Sequence, residues 1–137
     1  MTRTLSMRFH NLPGSRAGVG RSGPRTLIAD RPEGVAGGQG LGFNGGELLA
    51  AALGGCFWND LHYAAEARGV VLGAVEVEVE TTLSGVPLRV IAATIRARVE
   101  AADPSAARAC FEAACADSTI ANSVMAAFPV AFVFEDS

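Results

Sequence analysis

Glu47-Leu48-Leu49-Ala50-Ala51-Ala52-Leu53-Gly54-Gly55-Cys56-Phe57-Trp58 is the stretch on which the fold turns. From Glu47 to Arg68 the residues favour helix, and Gly69 supplies a stop. The first three turns are apolar on every side, the pattern of a helix buried all round. The last turns, through Leu61 and Tyr63-Ala64-Ala65-Glu66-Ala67-Arg68, are amphipathic. Gly54 and Gly55 lie mid-helix at a cost of about 1 kcal/mol each relative to Ala. Such a pair points to close approach by another backbone or a substrate. The apolar run Leu48 to Trp58 has 11 residues and ends at Asn59-Asp60, too short to cross a bilayer.

Downstream, Val75-Glu76-Val77-Glu78-Val79-Glu80-Thr81-Thr82 alternates strictly and predicts a half-buried strand with a carboxylate face toward water. Ser84-Gly85-Val86-Pro87 reads as a turn, and Leu88 to Val99 as the returning strand. Arg96 and Arg98 then fall opposite those glutamates as cross-strand charge pairs. Asp103 caps a helix that has Pro104 at its first position and Ala107, Cys110, Phe111 and Ala114 as its apolar stripe. The chain breaks at Ala116-Asp117-Ser118, a second helix runs to about Ala127, and Pro129 to Phe134 closes as a strand. The order predicts an α+β domain with a long buried central helix against an antiparallel sheet.

Upstream, the first 46 residues read as Gly-rich and loop-like, punctuated by Pro13, Pro24 and Pro32. Thr26-Leu27-Ile28-Ala29 reads as a short strand, and Met7-Arg8-Phe9 as a second candidate. Gly34 to Gly46 holds seven glycines in 13 positions and predicts a flexible surface loop. It matches no phosphate-binding loop.

The 137 residues predict one domain, 1–137, and half of them are hydrophobic against 18% charged, enough to build a core. Net charge is −3, and the 11 basic residues are all Arg and scattered, which argues against nucleic-acid binding. The opening MTRTLSMRFH leads into NLPGSR instead of an apolar segment, so no secretory signal and no membrane anchor are expected. With three Cys and no signal, the expected setting is a reducing, cytoplasmic one.

The chemistry therefore rests on cysteine. Cys110 belongs to an apolar stripe and reads as structural. In one helix Cys110 and Cys115 are separated by about 7.5 Å and about 140°, unsuited to a disulfide. Cys115 ends one helix and precedes another, whose free N–H groups lower the pKa of a nearby thiol. Cys56 sits behind the glycine pair, where a Cys is either inert packing or a reactive thiol. Asp60, one turn on, opposes its ionisation, so a thiolate there calls for a cation supplied by tertiary structure. His10 and His62 are the only histidines, no Cys-x-x-Cys or Cys-x-x-His spacing occurs, and no metal or other cofactor is expected.

Gly37-Gly38 followed by Gly46-Glu47-Leu48-Leu49-Ala50-Ala51-Ala52-Leu53-Gly54-Gly55-Cys56 resembles the first cysteine motif of the OsmC/Ohr family of osmotically inducible and organic hydroperoxide resistance proteins. Cys115-Ala116-Asp117-Ser118, ahead of a helix and a closing Phe-Pro-Val strand, is similar to the second motif. The order of elements agrees from about Arg25 to Phe134. The resemblance implies an OsmC-like fold, an intertwined homodimer and thiol peroxidase chemistry on organic hydroperoxides. It implies that Cys56 becomes a sulfenic acid, that Cys115 resolves it as a disulfide, and that a dihydrolipoyl or other dithiol partner reduces the product.

Hydroperoxide-reducing members carry a Glu ten residues before the first Cys, orienting an Arg over the thiolate. Here Gly46 occupies that position and Glu47 follows, about 100° further round a helix. Glu47 is the candidate carboxylate. Arg16, Arg21 and Arg25 are candidates for the cation, Arg25 being nearest a predicted strand. Two other readings stand beside the peroxidase: a non-catalytic homodimer binding a small apolar molecule, and a general dithiol redox protein.

Overall fold

The computed structural model describes residues 1–136 and divides into two compact units that meet in sequence between Leu48 and Leu49. The first holds three antiparallel strands in the order β1 (Arg8–Asn11), β2 (Gly18–Ser22), β3 (Arg25–Ala29). β3 and β1 fall where the sequence places them. β2 does not, because Gly18-Val19-Gly20 offers no alternation of apolar and polar side chains to read. Its pairing is nonetheless continuous, from Gly18 opposite Ala29 to Ser22 opposite Arg25.

The Gly-rich segment is also more ordered than its composition predicts. Asp30, at 6% exposure, turns its carboxylate inward, where it accepts the backbone N–H groups of Arg31 (2.8 Å), Gln39 (3.1 Å) and Leu41 (3.0 Å). Those bonds, chiefly that from Leu41, hold the Asp30 carboxyl below its ordinary pKa against the opposing effect of burial. Gly38 and Gly42 are glycines for a steric reason. A Cβ on Gly38 would strike the Arg31 and Pro32 carbonyl oxygens, and one on Gly42 the Ile28 carbonyl. The loop folds back on β3 through Phe43 N–H to Ile28 O and Asp30 N–H to Phe43 O.

Helix α1 (Gly45–Arg68) has 24 residues. It starts on a reciprocal cap in which the Asn44 side-chain oxygen accepts the Glu47 N–H at 2.9 Å and the Glu47 carboxylate accepts the Asn44 N–H at 3.1 Å. The second unit adds β4 (Leu72–Ser84), β5 (Arg89–Ala101), α2 (Pro104–Asp117), α3 (Thr119–Val124) and β6 (Val130–Glu135). β4 and β5 form the expected hairpin, with Glu76 opposite Arg98 and Glu78 opposite Arg96. Arg98 reaches Glu76 at 3.4 Å and Glu135 at 3.3 Å. β6 joins β5 in parallel, so this sheet is mixed instead of wholly antiparallel. The passage from β5 to β6 through α2 and α3 is long enough for that crossover.

The core of this unit is a stripe of α1, Leu53, Phe57 and Leu61, laid on Ala93, Ile95, Ala97 and Val99 of β5. Phe57 meets the Phe111 ring edge-on at 5.7 Å and stacks on Phe132 at 5.8 Å. Gly54 lets the helix lie close: a Cβ there would come within 3.0 Å of Val79 Cγ2. Gly55 faces open space. The expectation of a helix buried on all sides thus holds for one face only. Ala51, Ala52, Gly55, Trp58, Asn59 and His62 are exposed, and the small apolar residues at the start of that face give it no polar mark in the sequence.

Candidate active site

Cys56 is half-buried on the flank of α1, between the buried Phe57 and the exposed Gly55. Its Sγ donates to Asp60 Oδ2, one turn on, at 3.5 Å. From the other side Ser118 Oγ donates to Sγ at 3.8 Å. The sulfur therefore sits between an acceptor for its own proton and a donor to its lone pair. Burial raises the Asp60 pKa, the hydrogen bond from Cys56 lowers it, and the negative charge of Asp117 raises it further.

Ser118 is fully buried and joins two helices. Its N–H donates to Ala114 O at the end of α2, and its carbonyl accepts the Asn122 N–H in α3. The hydroxyl makes no capping bond, which leaves it free to turn toward Cys56. The sequence marks Ser118 as a helix break and as the end of the second cysteine motif, with nothing to tie it to Cys56. A serine at a junction carries no signal for a contact 62 residues away.

Cys115 lies in the last turn of α2, half-buried against the core. It precedes α3, but its thiol is not acidified. Burial, with the nearby Glu112 charge adding to it, pushes its pKa up to about 11. α3 has only six residues, so its N-terminus offers little compensation. Cys110 is fully buried against Ala64 and Ala65, as a structural residue should be. Ser118, three residues beyond Cys115, brings the α2–α3 junction to Cys56.

The remaining sequence candidates belong to the first unit. Glu47 is exposed, and its carboxylate is committed to the Asn44 cap. Arg25 is exposed at the first position of β3, opposite Ser22. Arg16 offers its carbonyl to the Arg31 guanidinium at 2.6 Å. Among the described residues no cluster of His, Cys, Asp and Glu could hold a metal ion, and no helix is long and apolar enough to cross a membrane.

Residues 37–132 match the model of a family described as OsmC-like protein. No curated protein matches the sequence. Among solved structures, an OsmC like protein from Mycoplasma pneumoniae is similar at 12% identity and a TM-score of 0.79, over 100% of this chain and 98% of its own. A Legionella pneumophila structure described as an organic hydroperoxide resistance protein OsmC is 19% identical, with a TM-score of 0.72 over 98% of both chains. The organic hydroperoxide resistance protein OhrB of Bacillus subtilis is 20% identical, with a TM-score of 0.68 over 97% of this chain and 98% of that one.

The Ser118 bond to Cys56 gives a direct test. A hydrogen bond to a group that carries charge is worth about 1.5 kcal/mol, roughly tenfold in a rate that depends on it. Ser118→Ala is expected to slow iodoacetamide alkylation of Cys56 at neutral pH by about that factor. An unchanged alkylation rate would mean that the hydroxyl does not support the sulfur.

Proposed function

The chain belongs to the OsmC-like protein family, and from that premise we propose that it is a thiol peroxidase that reduces organic hydroperoxides. The Cys56 sulfur attacks the distal oxygen, the O–O bond breaks, an alcohol departs and a sulfenic acid remains. The Cys115 thiolate then attacks that sulfur, the S–O bond breaks, hydroxide leaves and takes a proton from solvent as water, and the resulting disulfide is opened again by a dihydrolipoyl or other dithiol reductant. The observation that carries this reading is the Ser118 contact, which seats the Cys115-bearing junction against Cys56.

The proposal includes a homodimer. The outward face of α1 carries Trp58, 41% exposed, and borders an open groove of about 390 Å³ lined by Ala50, Ala51, Gly54, Gly55, Val77 and Val79. A second copy of the chain covers this face. Sedimentation at micromolar concentration is expected to give a dimer, and a folded monomer would overturn that part of the proposal.

The same apolar groove favours a second reading, a dimer that binds a small apolar molecule without turning it over. One equivalent of cumene hydroperoxide separates the two. Mass analysis of the intact reduced protein is expected to show rapid loss of two hydrogens in the parent and none in Cys56→Ser, with a sulfenic acid retained in Cys115→Ser. A parent unchanged over minutes would favour the binder.

The raised Cys115 pKa adds a pH dependence. Only the thiolate resolves the sulfenic acid, and a thiol with a pKa near 11 is almost wholly protonated at neutral pH. Disulfide closure should therefore accelerate about tenfold per pH unit through the alkaline range, levelling only as pH approaches that value. A closure rate flat from neutral pH upward would show that Cys115 is acidified in the working protein.

A further inference from the structure

We propose that Asp60 is the proton carrier of the Cys56 reaction, taking the thiol proton as the sulfur attacks and returning it to the departing alkoxide. The inference rests on the hydroperoxide reading and deepens it by naming the route of the proton.

The geometry is local and rigid. Cys56 and Asp60 stand four positions apart on α1, where side chains are neighbours, and the Sγ to Oδ2 distance is 3.5 Å. No loop has to move to bring them together. Asp60 is half-buried, and among the described residues none of the ion pairs involves it. A carboxylate shielded from water and without a cation keeps its affinity for a proton. The Asp117 charge at the end of α2 acts on it in the same direction. Ser118 donates to the sulfur from the α2–α3 junction, so charge that develops on Sγ meets a hydroxyl while the proton leaves on the other side.

The step balances within this set. At the start the site holds a thiol, a carboxylate and a neutral hydroperoxide. The S–H bond breaks and its proton passes to Asp60 Oδ2 as the sulfur lone pair attacks the distal oxygen. The S–O bond forms, the O–O bond breaks, and its electron pair leaves on the alkoxide oxygen. Asp60 then gives up the proton to that alkoxide. Sulfur is oxidised by two electrons, the peroxide is reduced by two, and the site ends as sulfenic acid, carboxylate and alcohol. Its net charge is unchanged at every stage. The benefit lies mainly in the leaving group, since an unprotonated alkoxide departs poorly.

Asp60→Asn distinguishes this role from its opposite. Reaction with cumene hydroperoxide, followed by loss of the Cys56 thiol, is expected to fall about a hundredfold. Alkylation of Cys56 by iodoacetamide, whose iodide leaves without a proton, is expected to hold or rise because a neighbouring negative charge is gone. Asp60→Glu should recover part of the hydroperoxide rate. An Asp60→Asn protein that reacts with hydroperoxide as fast as the parent, or faster, would overturn the proposal and leave Asp60 as a brake on ionisation. Both reactions falling together, without recovery in Asp60→Glu, would overturn it in favour of a packing role. A parent inert to hydroperoxide would instead remove the peroxidase reading, and the proton relay with it.

Discussion

Burial of Leu53, Phe57 and Leu61 of α1 against β5 is the constraint on which the second unit depends. Three large side chains at helical spacing fix the rotation of α1 about its own axis, and Phe111 and Phe132 close over Phe57 from α2 and β6. Once that rotation is set, the direction of each neighbouring residue follows at about 100° per step. Cys56, next to Phe57, is turned to the edge of the core. There it is half-buried, close to the α2–α3 junction and open on one side. Asp60 follows on the same edge four residues later. The sulfur environment is thus a consequence of core packing. A shift of one residue in that stripe would carry Cys56 either fully inward or out to water.

Much of this was legible in the sequence because the side chains themselves state it. The alternation from Val75 to Thr82, the Asp103-Pro104 start of α2 and its stripe of Ala107, Cys110, Phe111 and Ala114 all specify period and direction, and the structure has each of them. The pairing of Arg96 and Arg98 with the β4 glutamates followed from the same alternation. What was missed is what side chains do not encode. β2 is held by backbone pairing through Gly18 and Gly20, and the order of the Gly34–Gly46 segment comes from one inward carboxylate, Asp30, working at a distance of up to 11 residues. The parallel direction of β6 depends on where the α2–α3 crossover delivers the chain.

The site was legible in outline only. Cys56 and Cys115 stand out because the chain has few cysteines, one behind the Gly54-Gly55 pair inside α1 and the other just before the α2–α3 break. Their surroundings do not. The fully buried Ser118 gives its hydroxyl to a sulfur on another helix, and only the packing of that junction makes the contact. Glu47 looked like a charged partner for chemistry, but its carboxylate closes the N-terminal cap of α1. Cys115 looked like an acidified thiol, but burial in the last turn of α2 outweighs a short helix beyond it. Glu47 is committed by a cap local to three residues, whereas the settings of Ser118 and Cys115 come from the burial of the α2–α3 junction.

Asp60 has two faces in this arrangement. As a charge it opposes a thiolate at Cys56, and as a hydrogen-bond acceptor it draws the thiol proton toward itself. A carboxylate that only repelled the sulfur would leave an inert cysteine. The central claim is that Cys56, held between Ser118 and Asp60, is the sulfur that meets the oxidant. Its most direct measurement is dimedone trapping during exposure to less than one equivalent of cumene hydroperoxide, with the adduct located by peptide mass spectrometry across all three cysteines. The expected result is an adduct confined to Cys56. An adduct first at Cys115, or none while hydroperoxide remains intact, would contradict it.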